Sequence, residues 1–187
     1  MKSDLKARIA QMQQKLSQGH AVQAVHADTQ LFVTRDDVCQ KMVALAGIQA
    51  GDRVLEPSAG TGAILRAIQS AAPGICCDCV ELNAALAAQL QANFPAVTVT
   101  CGDFLSYEPG RLYQRIIMNP PFRQGTDLKH ISRALSLLSP GGRLVAICTG
   151  GPRQHRALVP RATHYEELPR GTFSYTDVAS LLVCIDA

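Results

Sequence analysis

Charge is scarce in this sequence. Asp, Glu, Lys and Arg make up 18% of its 187 residues, against about 25% in an average globular domain. With 47% hydrophobic residues beside it, that excludes a disordered chain, a coiled coil and a highly charged tail. Repeats are lacking too. The 14 Gly and 10 Pro follow no period, which removes collagen-like and low-complexity classes. No apolar run approaches the ~20 residues of a membrane span. The first residues, MKSDLKARIAQMQQKLSQ, lack the apolar core of a signal peptide. Seven Cys cannot pair completely. These absences point to a cytoplasmic chain with reduced thiols and no membrane partner.

What is present suits one domain, long enough to bury a core without disulfides or metals. The net charge is only +3, but it is unevenly spread. Residues 123–170 hold eight basic side chains and three acidic ones, Asp127, Glu166 and Glu167. That stretch reads either as a polyanion-facing surface or as an ordinary solvated face. Cys76, Cys77 and Cys79 lie in GICCDCVEL, a buried-strand pattern in which Cys serves as a small apolar residue. Neighbouring strand residues face opposite ways, so the three cannot converge on one metal ion.

Leu5, Ile9, Met12 and Leu16 recur at helical spacing, predicting a helix over 3–17, with a poorly patterned connector over 20–33. Thr34 and Asp37 form a T-x-x-D signal like a capping box, opening a helix to about Ala46. From Asp52 strands and helices alternate. Strands are expected at 53–56, 75–81, 96–101, 114–118 and 143–149, and helices at 62–71, 83–93 and 127–138. After a loop or short helix, THYEELPR and DVASLLVCI read as two late antiparallel strands. The expected fold is α/β, a mainly parallel sheet with helices on both faces. Such sheets bind ligands beyond the carboxyl ends of their strands.

Four motifs sit at those ends. The run Glu56-Pro57-Ser58-Ala59-Gly60-Thr61-Gly62 leaves the first strand, where glycines admit close backbone approach to a ligand. Glu81 ends the second strand, 21 residues after Gly60, where an acid commonly accepts hydrogen bonds from ribose hydroxyls. Asp103-Phe104 follows the third strand. Its carboxylate suits an adenine amino group and its ring an aromatic face, although Gly102-Asp103 also makes a good turn. Asn119-Pro120-Pro121-Phe122 follows the fourth strand. Two prolines rigidify the turn and expose carbonyls, Asn119 supplies a neutral acceptor oxygen, and Phe122 a flat apolar face. The set fits a planar amine, while a plain tight turn is the structural alternative.

In this order, EPSAGTG, VELN, GDF and MNPPF resemble the motifs of class I S-adenosylmethionine-dependent methyltransferases, over roughly residues 32–122. The chain is most similar to the N-P-P-F/Y group that methylates exocyclic or amide nitrogens, and EPSAGTG resembles adenine-N6 DNA methyltransferases. The resemblance implies a Rossmann-like, seven-stranded, mainly parallel sheet with an antiparallel C-terminal strand. It implies an N-terminal helical extension over 1–33 and a methyltransferase domain over 34–187. Phe32-x-Thr34 resembles the family's opening cofactor motif, with Arg35 where proline is usual.

The resemblance further implies roles, residue by residue. Phe32, Thr34 and the loop Glu56, Pro57, Ser58, Ala59, Gly60 and Gly62 would bind S-adenosylmethionine, the two glycines against its methionine part. Glu81 would hold the ribose hydroxyls, Leu82 would join the cofactor contacts, and Asp103 with Phe104 would hold the adenine. Asn119, also among the cofactor contacts, and the Pro120 carbonyl would accept the hydrogens of the target amine, Pro121 would stiffen the turn, and Phe122 would stack on the target ring. Two acceptors draw the amine hydrogens out of plane, restoring a lone pair otherwise delocalised into the ring. This is catalysis by positioning and electrostatics, and it needs no metal.

The acceptor implied is nucleic acid, DNA ahead of RNA, met by basic loops at 123–126 and 150–161. His155 reads as a phosphate or surface contact rather than a base, since the proton can leave to water after transfer. Phe173 resembles the family's later aromatic near the target base. Alternatives are RNA guanine-N2 methylation, suggested by NPPFRQG, protein glutamine methylation, or a cofactor-binding subunit of a larger modification complex. A nicotinamide enzyme fits less well, because Leu65 holds the place of a third glycine. With 34–187 consumed by the core, selectivity is expected from the N-terminal helix, the basic loops or a separate specificity subunit.

Overall fold

A computed structural model describes residues 34–173 and 178–187. The predicted helix over 3–17, the connector with Phe32, and residues 174–177 lie outside the described residues. At the centre of the sheet, β1 (Arg53–Pro57) pairs in parallel with β2 (Cys76–Glu81) on one side and β4 (Tyr113–Met118) on the other. β3 (Val97–Cys101) adds parallel to β2, and β5 (Leu138–Thr149) parallel to β4. β7 (Ser180–Asp186) runs antiparallel to β5, and β6 (His164–Leu168) closes the edge antiparallel to β7. The order is β3-β2-β1-β4-β5-β7-β6, seven strands in one sheet. The α/β fold and the antiparallel C-terminal strand are as the sequence implies.

Strand periodicity of two builds a core on each face. Val54, Cys77, Cys79, Ile117, Val145 and Ile147 face one way and meet α1 (Asp36–Ala46), α2 (Ala63–Ala71) and α3 (Ala84–Asn93) through Met42, Leu65, Ile68, Leu90 and Phe94. Their neighbours Leu55, Val80, Ile116, Met118, Leu144 and Ala146 face the other way and meet α4 (Thr126–Ser136) and α5 (Pro152–Leu158) through Ile131, Ala134 and Leu158. Each fully buried Ile or Leu adds about 1.5–3 kcal/mol. A one-residue slip would exchange the two faces, so the register is fixed by both cores at once. Burial pushes the thiols of Cys39, Cys79 and Cys148 up to about 12, so they stay protonated as packing groups. Cys76, by contrast, is exposed.

Two local expectations need correction. The capping box at Thr34 and Asp37 does not form. Arg35 is the residue before α1, without a side-chain cap, and its guanidinium holds Asp37 at 3.0 Å while Thr34 is engaged elsewhere. β5 begins at Leu138 rather than 143, where the sequence shows only a helix end and a turn-like Pro-Gly-Gly. Leu138 pairs once with Tyr113, and pairing resumes at Arg143 after a bulge. Gly142 sits in that bulge because a Cβ there would come within 2.8 Å of the Ser139 carbonyl oxygen. Among the described residues, no helix is long and apolar enough to cross a membrane.

Candidate active site

Parallel pairing of β3, β2, β1 and β4 sets four carboxyl ends side by side, and all four motifs stand there. The loop after β1 is bent by left-handed backbone at Ser58, Gly60 and Gly62. Gly62 is required by packing as well, since a Cβ would meet the Phe94 ring at 2.6 Å. Ala59 N–H donates to the Val80 carbonyl at 3.0 Å, tying the loop to β2. Glu81 tightens the same junction. Its Oε2 accepts from Gly60 N–H at 2.7 Å and its Oε1 from Asn83 N–H at 2.8 Å. Each oxygen keeps a second lone pair for a further donor. Asn83 in turn caps α3 by accepting from the N–H groups of Ala85 and Leu86.

Glu56 lies beneath this loop, only 2% exposed. Burial holds its carboxyl well above the usual carboxylate range, opposed by the Leu65 N–H and by Arg66. Its Oε2 is buried with no hydrogen-bond partner among the described residues. A buried acceptor without a donor is costly unless a ligand supplies one.

Asp103 is exposed, and its Oδ1 accepts from Leu105 N–H at 2.9 Å, holding a 3₁₀ turn at Phe104–Ser106. Phe104 is turned inward. It is 2% exposed and packs on His130, with ring centroids 5.5 Å apart. Apolar surface open at this edge is contributed by Leu82 and Leu105 instead.

Beyond β4, Asn119 Nδ2 donates to Thr34 Oγ1 at 3.1 Å. Thr34 is buried, so the contact is sheltered from water. It assigns the donor end of the amide to Thr34 and leaves Oδ1 as the acceptor end, the orientation an amine substrate needs. Pro120 is buried and Phe122 half-buried. The Phe122 ring meets Phe173 edge-on, centroids 6.1 Å apart at 79°. Two aromatics distant in sequence thus meet beside the Asn-Pro-Pro turn.

Several supporting residues carried no sequence signal. Asp127 is fully buried at the start of α4. It accepts from Thr149 N–H at 3.1 Å, Thr149 Oγ1 at 2.9 Å and Gln154 Nε2 at 3.0 Å, joining α4, β5 and α5. His130 lies 3.4 Å from Ser58 Oγ, and burial lowers its imidazole pKa against the pull of Asp103 and Asp127. Only a local carboxylate-turn or helix-face pattern shows in the sequence at either place, because the partners lie 22 to 72 residues away. His155 is held by the Gly151 carbonyl and Glu167, at 3.1 and 3.3 Å, a structural setting for its ring.

The strand order and the loops at its carboxyl edge define a Rossmann-like methyltransferase fold. The chain belongs to the methyltransferase small domain family, whose model matches residues 24–171. It is 33% identical over 103 residues to ribosomal RNA small subunit methyltransferase A of Chlorobium luteolum, covering 53% of this chain and 37% of that protein. The matched part therefore spans well under half of that relative. Among solved structures, TrmN from Thermus thermophilus superposes with a TM-score of 0.65 at 21% identity, over 81% of this chain and 48% of that one. A modification subunit of a putative type I restriction enzyme from Vibrio vulnificus superposes with a TM-score of 0.67 at 17% identity, over 92% and 48%. These likenesses are of fold.

The residues present fit the cofactor. An acceptor without a donor at Glu56, a carboxylate with spare lone pairs at Glu81, an exposed carboxylate at Asp103 and open apolar side chains at Leu82 and Leu105 offer complementary contacts to its ammonium, hydroxyl, amino and ring groups.

Proposed function

We propose that the chain methylates an exocyclic amino nitrogen of a nucleic-acid base, with RNA as the acceptor ahead of DNA. The observation that carries this reading is the Asn119 amide, held at 3.1 Å by Thr34 in a rigid Asn-Pro-Pro-Phe turn at the end of β4. When bound, the cofactor supplies an electrophilic methyl group on a sulfonium. The protein's part is to prepare the amine. Asn119 Oδ1 and the Pro120 carbonyl accept its two hydrogens, and Phe122, backed by Phe173, stacks on the base. With both hydrogens held, the nitrogen lone pair is withdrawn from the ring and becomes nucleophilic. Glu81 binds the ribose hydroxyls, Asp103 the adenine amino group, and Glu56 a donor of the methionine part. Thr34 acts through Asn119. The loop Pro57, Ser58, Ala59, Gly60 and Gly62, with Phe32 and the exposed Leu82 and Leu105, completes the cofactor site, while Phe104 supports it from the core. A base inside a duplex would have to leave its stack, at about a few kcal/mol.

RNA is placed first because relatives that the chain matches in sequence are ribosomal RNA methyltransferases. DNA is the second reading, favoured by EPSAGTG and by the fold likeness to a restriction-modification subunit. The deciding experiment gives the purified full chain labelled S-adenosylmethionine with ribosomal RNA, DNA and a protein extract, then identifies labelled products by mass spectrometry. Label on an amino nitrogen of an RNA nucleoside is expected. Label confined to DNA amino groups selects the second reading. Label only on glutamine, only on carbon or ribose oxygen, or on none of them contradicts both.

A further inference from the structure

The basic residues fall into two populations. Arg35, Lys41, Arg111, Arg115, Arg133 and Arg143 each meet a carboxylate within 4 Å. Among the described residues eight form no such pair; Arg53, Arg66 and Arg170 stand apart, and the other five are Arg123, Lys129, Arg153, Arg156 and Arg161. All five are exposed, and all lie between the Asn-Pro-Pro-Phe turn and the end of α5 and the 3₁₀ turn that follows it. Uncompensated like charges on one region repel one another, and they gain a purpose when an anion joins them.

Two of the five line a groove. α4 buries Asp127, His130, Ile131 and Ala134 against the sheet. Its other face presents Lys129, Ser132, Arg133 and Ser136, which with Arg153 of α5 enclose an open groove of about 540 Å³. Arg133 forms a fixed wall, held by Glu108 at 2.7 Å. Gly125 is fitted to Arg153. Its φ is +74°, and a Cβ there would stand 2.9 Å from Arg153 Nη1. Helix α4 has 11 residues, so the groove runs for about 16 Å at 1.5 Å per residue. That length takes about four or five stacked nucleotides at 3.4 Å each. It starts close to the base site, since Gly125 is three residues from Phe122, at most about 11 Å of chain.

We propose that this groove is a polynucleotide-backbone site, in which Lys129 and Arg153 hold phosphates of the acceptor strand next to the base that meets Asn119 and Phe122. The proposal rests on the nucleic-acid reading above and adds where the strand lies. Its length and openness suit a strand rather than a compact anion, and phosphate contacts position a strand without reading its sequence. Loose sequence preference follows from that.

The test measures fluorescence anisotropy of labelled single-stranded RNA and DNA 12-mers with the full chain over a range of salt. Lys129→Glu and Arg153→Glu are compared with Arg53→Glu, a charge-matched control at the start of β1. Each groove variant is expected to weaken binding about tenfold at low salt and to reduce the slope of log K against log salt by about 0.7 or more. Arg53→Glu should stay within about twofold, and calorimetric cofactor binding should be unchanged in all three. Similar behaviour of RNA and DNA supports backbone recognition. Wild-type affinity and slope in both groove variants overturns the proposal, as does an equal loss in Arg53→Glu or no oligonucleotide binding by the unmodified chain. Oligonucleotide binding that depends on the groove, with no methyl transfer to any nucleic acid, supports the groove and sinks the catalytic reading. Methyl transfer to RNA with groove variants that keep their acceptor KM does the reverse.

Discussion

The loops after β1 and β2 and the loops after β4 and β5 share one edge of the sheet but are built differently. On the first side, polar groups are bound into the backbone. Glu81 takes N–H groups from both loops, Ala59 is tied to Val80, and Asn83 caps the next helix. On the other side contacts between side chains distant in sequence set the geometry, among them those of Asp127 with Thr149 and Gln154. Asn119 is oriented by a hydroxyl from outside the sheet, Phe122 touches Phe173 edge-on, and among the described residues Arg123, Lys129 and Arg153 meet no carboxylate within 4 Å. The contrast suits the two tasks proposed above for these loops. A cofactor of fixed shape rewards a preorganised cradle. A polymer base that must be brought in rewards an adaptable, positively charged mouth.

The separation can be broken deliberately. Glu81→Ala should have the largest effect on the cradle. It leaves the N–H groups of Gly60 and Asn83 without their acceptor, at about 1–3 kcal/mol each. Cofactor affinity should fall by about 100-fold in calorimetry, with lower stability in urea, while oligonucleotide binding holds. Loss of oligonucleotide binding in step would show that the halves are one unit. Thr34→Val should be milder, with kcat down about tenfold and the cofactor Kd little changed, because the Asn119 amide is no longer held in one orientation. Thr34→Ser should restore the rate. A purely packing role would be met by Val and not by Ser.

The smallest effect is expected from Glu56→Gln. The folded pKa of Glu56 lies above its unfolded value because of burial. Its protonated form is therefore favoured by folding. That contribution is present below the unfolded pKa of about 4.3 and is lost as pH rises through the folded value. Gln cannot ionise, so thermal melts should show the variant gaining on the parent as pH rises above the unfolded value. A difference that does not change with pH would mean that Glu56 does not titrate in this way.

Much of the architecture was legible because it rests on local periodicity. The predicted strands at 53–56, 75–81 and 96–101 lie within a residue of those observed. The alternation of Val54 with Leu55 and of Ile116 with Ile117 is what builds two cores. The start of β5 was hidden because a bulge over Ser139–Gly142 looks like a turn. The capping box misled because Thr34 and Asp37 have other partners, one of them Asn119, 85 residues along the chain. Asp127, His130 and the Asp78–Tyr113 bond at 2.6 Å share that cause. Their meaning lies in distant partners, and a local pattern carries no trace of those. The strand-end motifs were readable because a parallel sheet lines up residues that the sequence spaces apart.

The division of labour along that edge is tested most directly by Asn119→Ala, measured on one preparation for cofactor Kd by calorimetry and for the rate of methyl transfer to RNA. A Kd within about threefold of the parent is expected, with the rate down by about 100-fold or more, the scale of losing one aligned acceptor in the transition state. A retained rate, or a Kd and rate that fall together, would contradict the account.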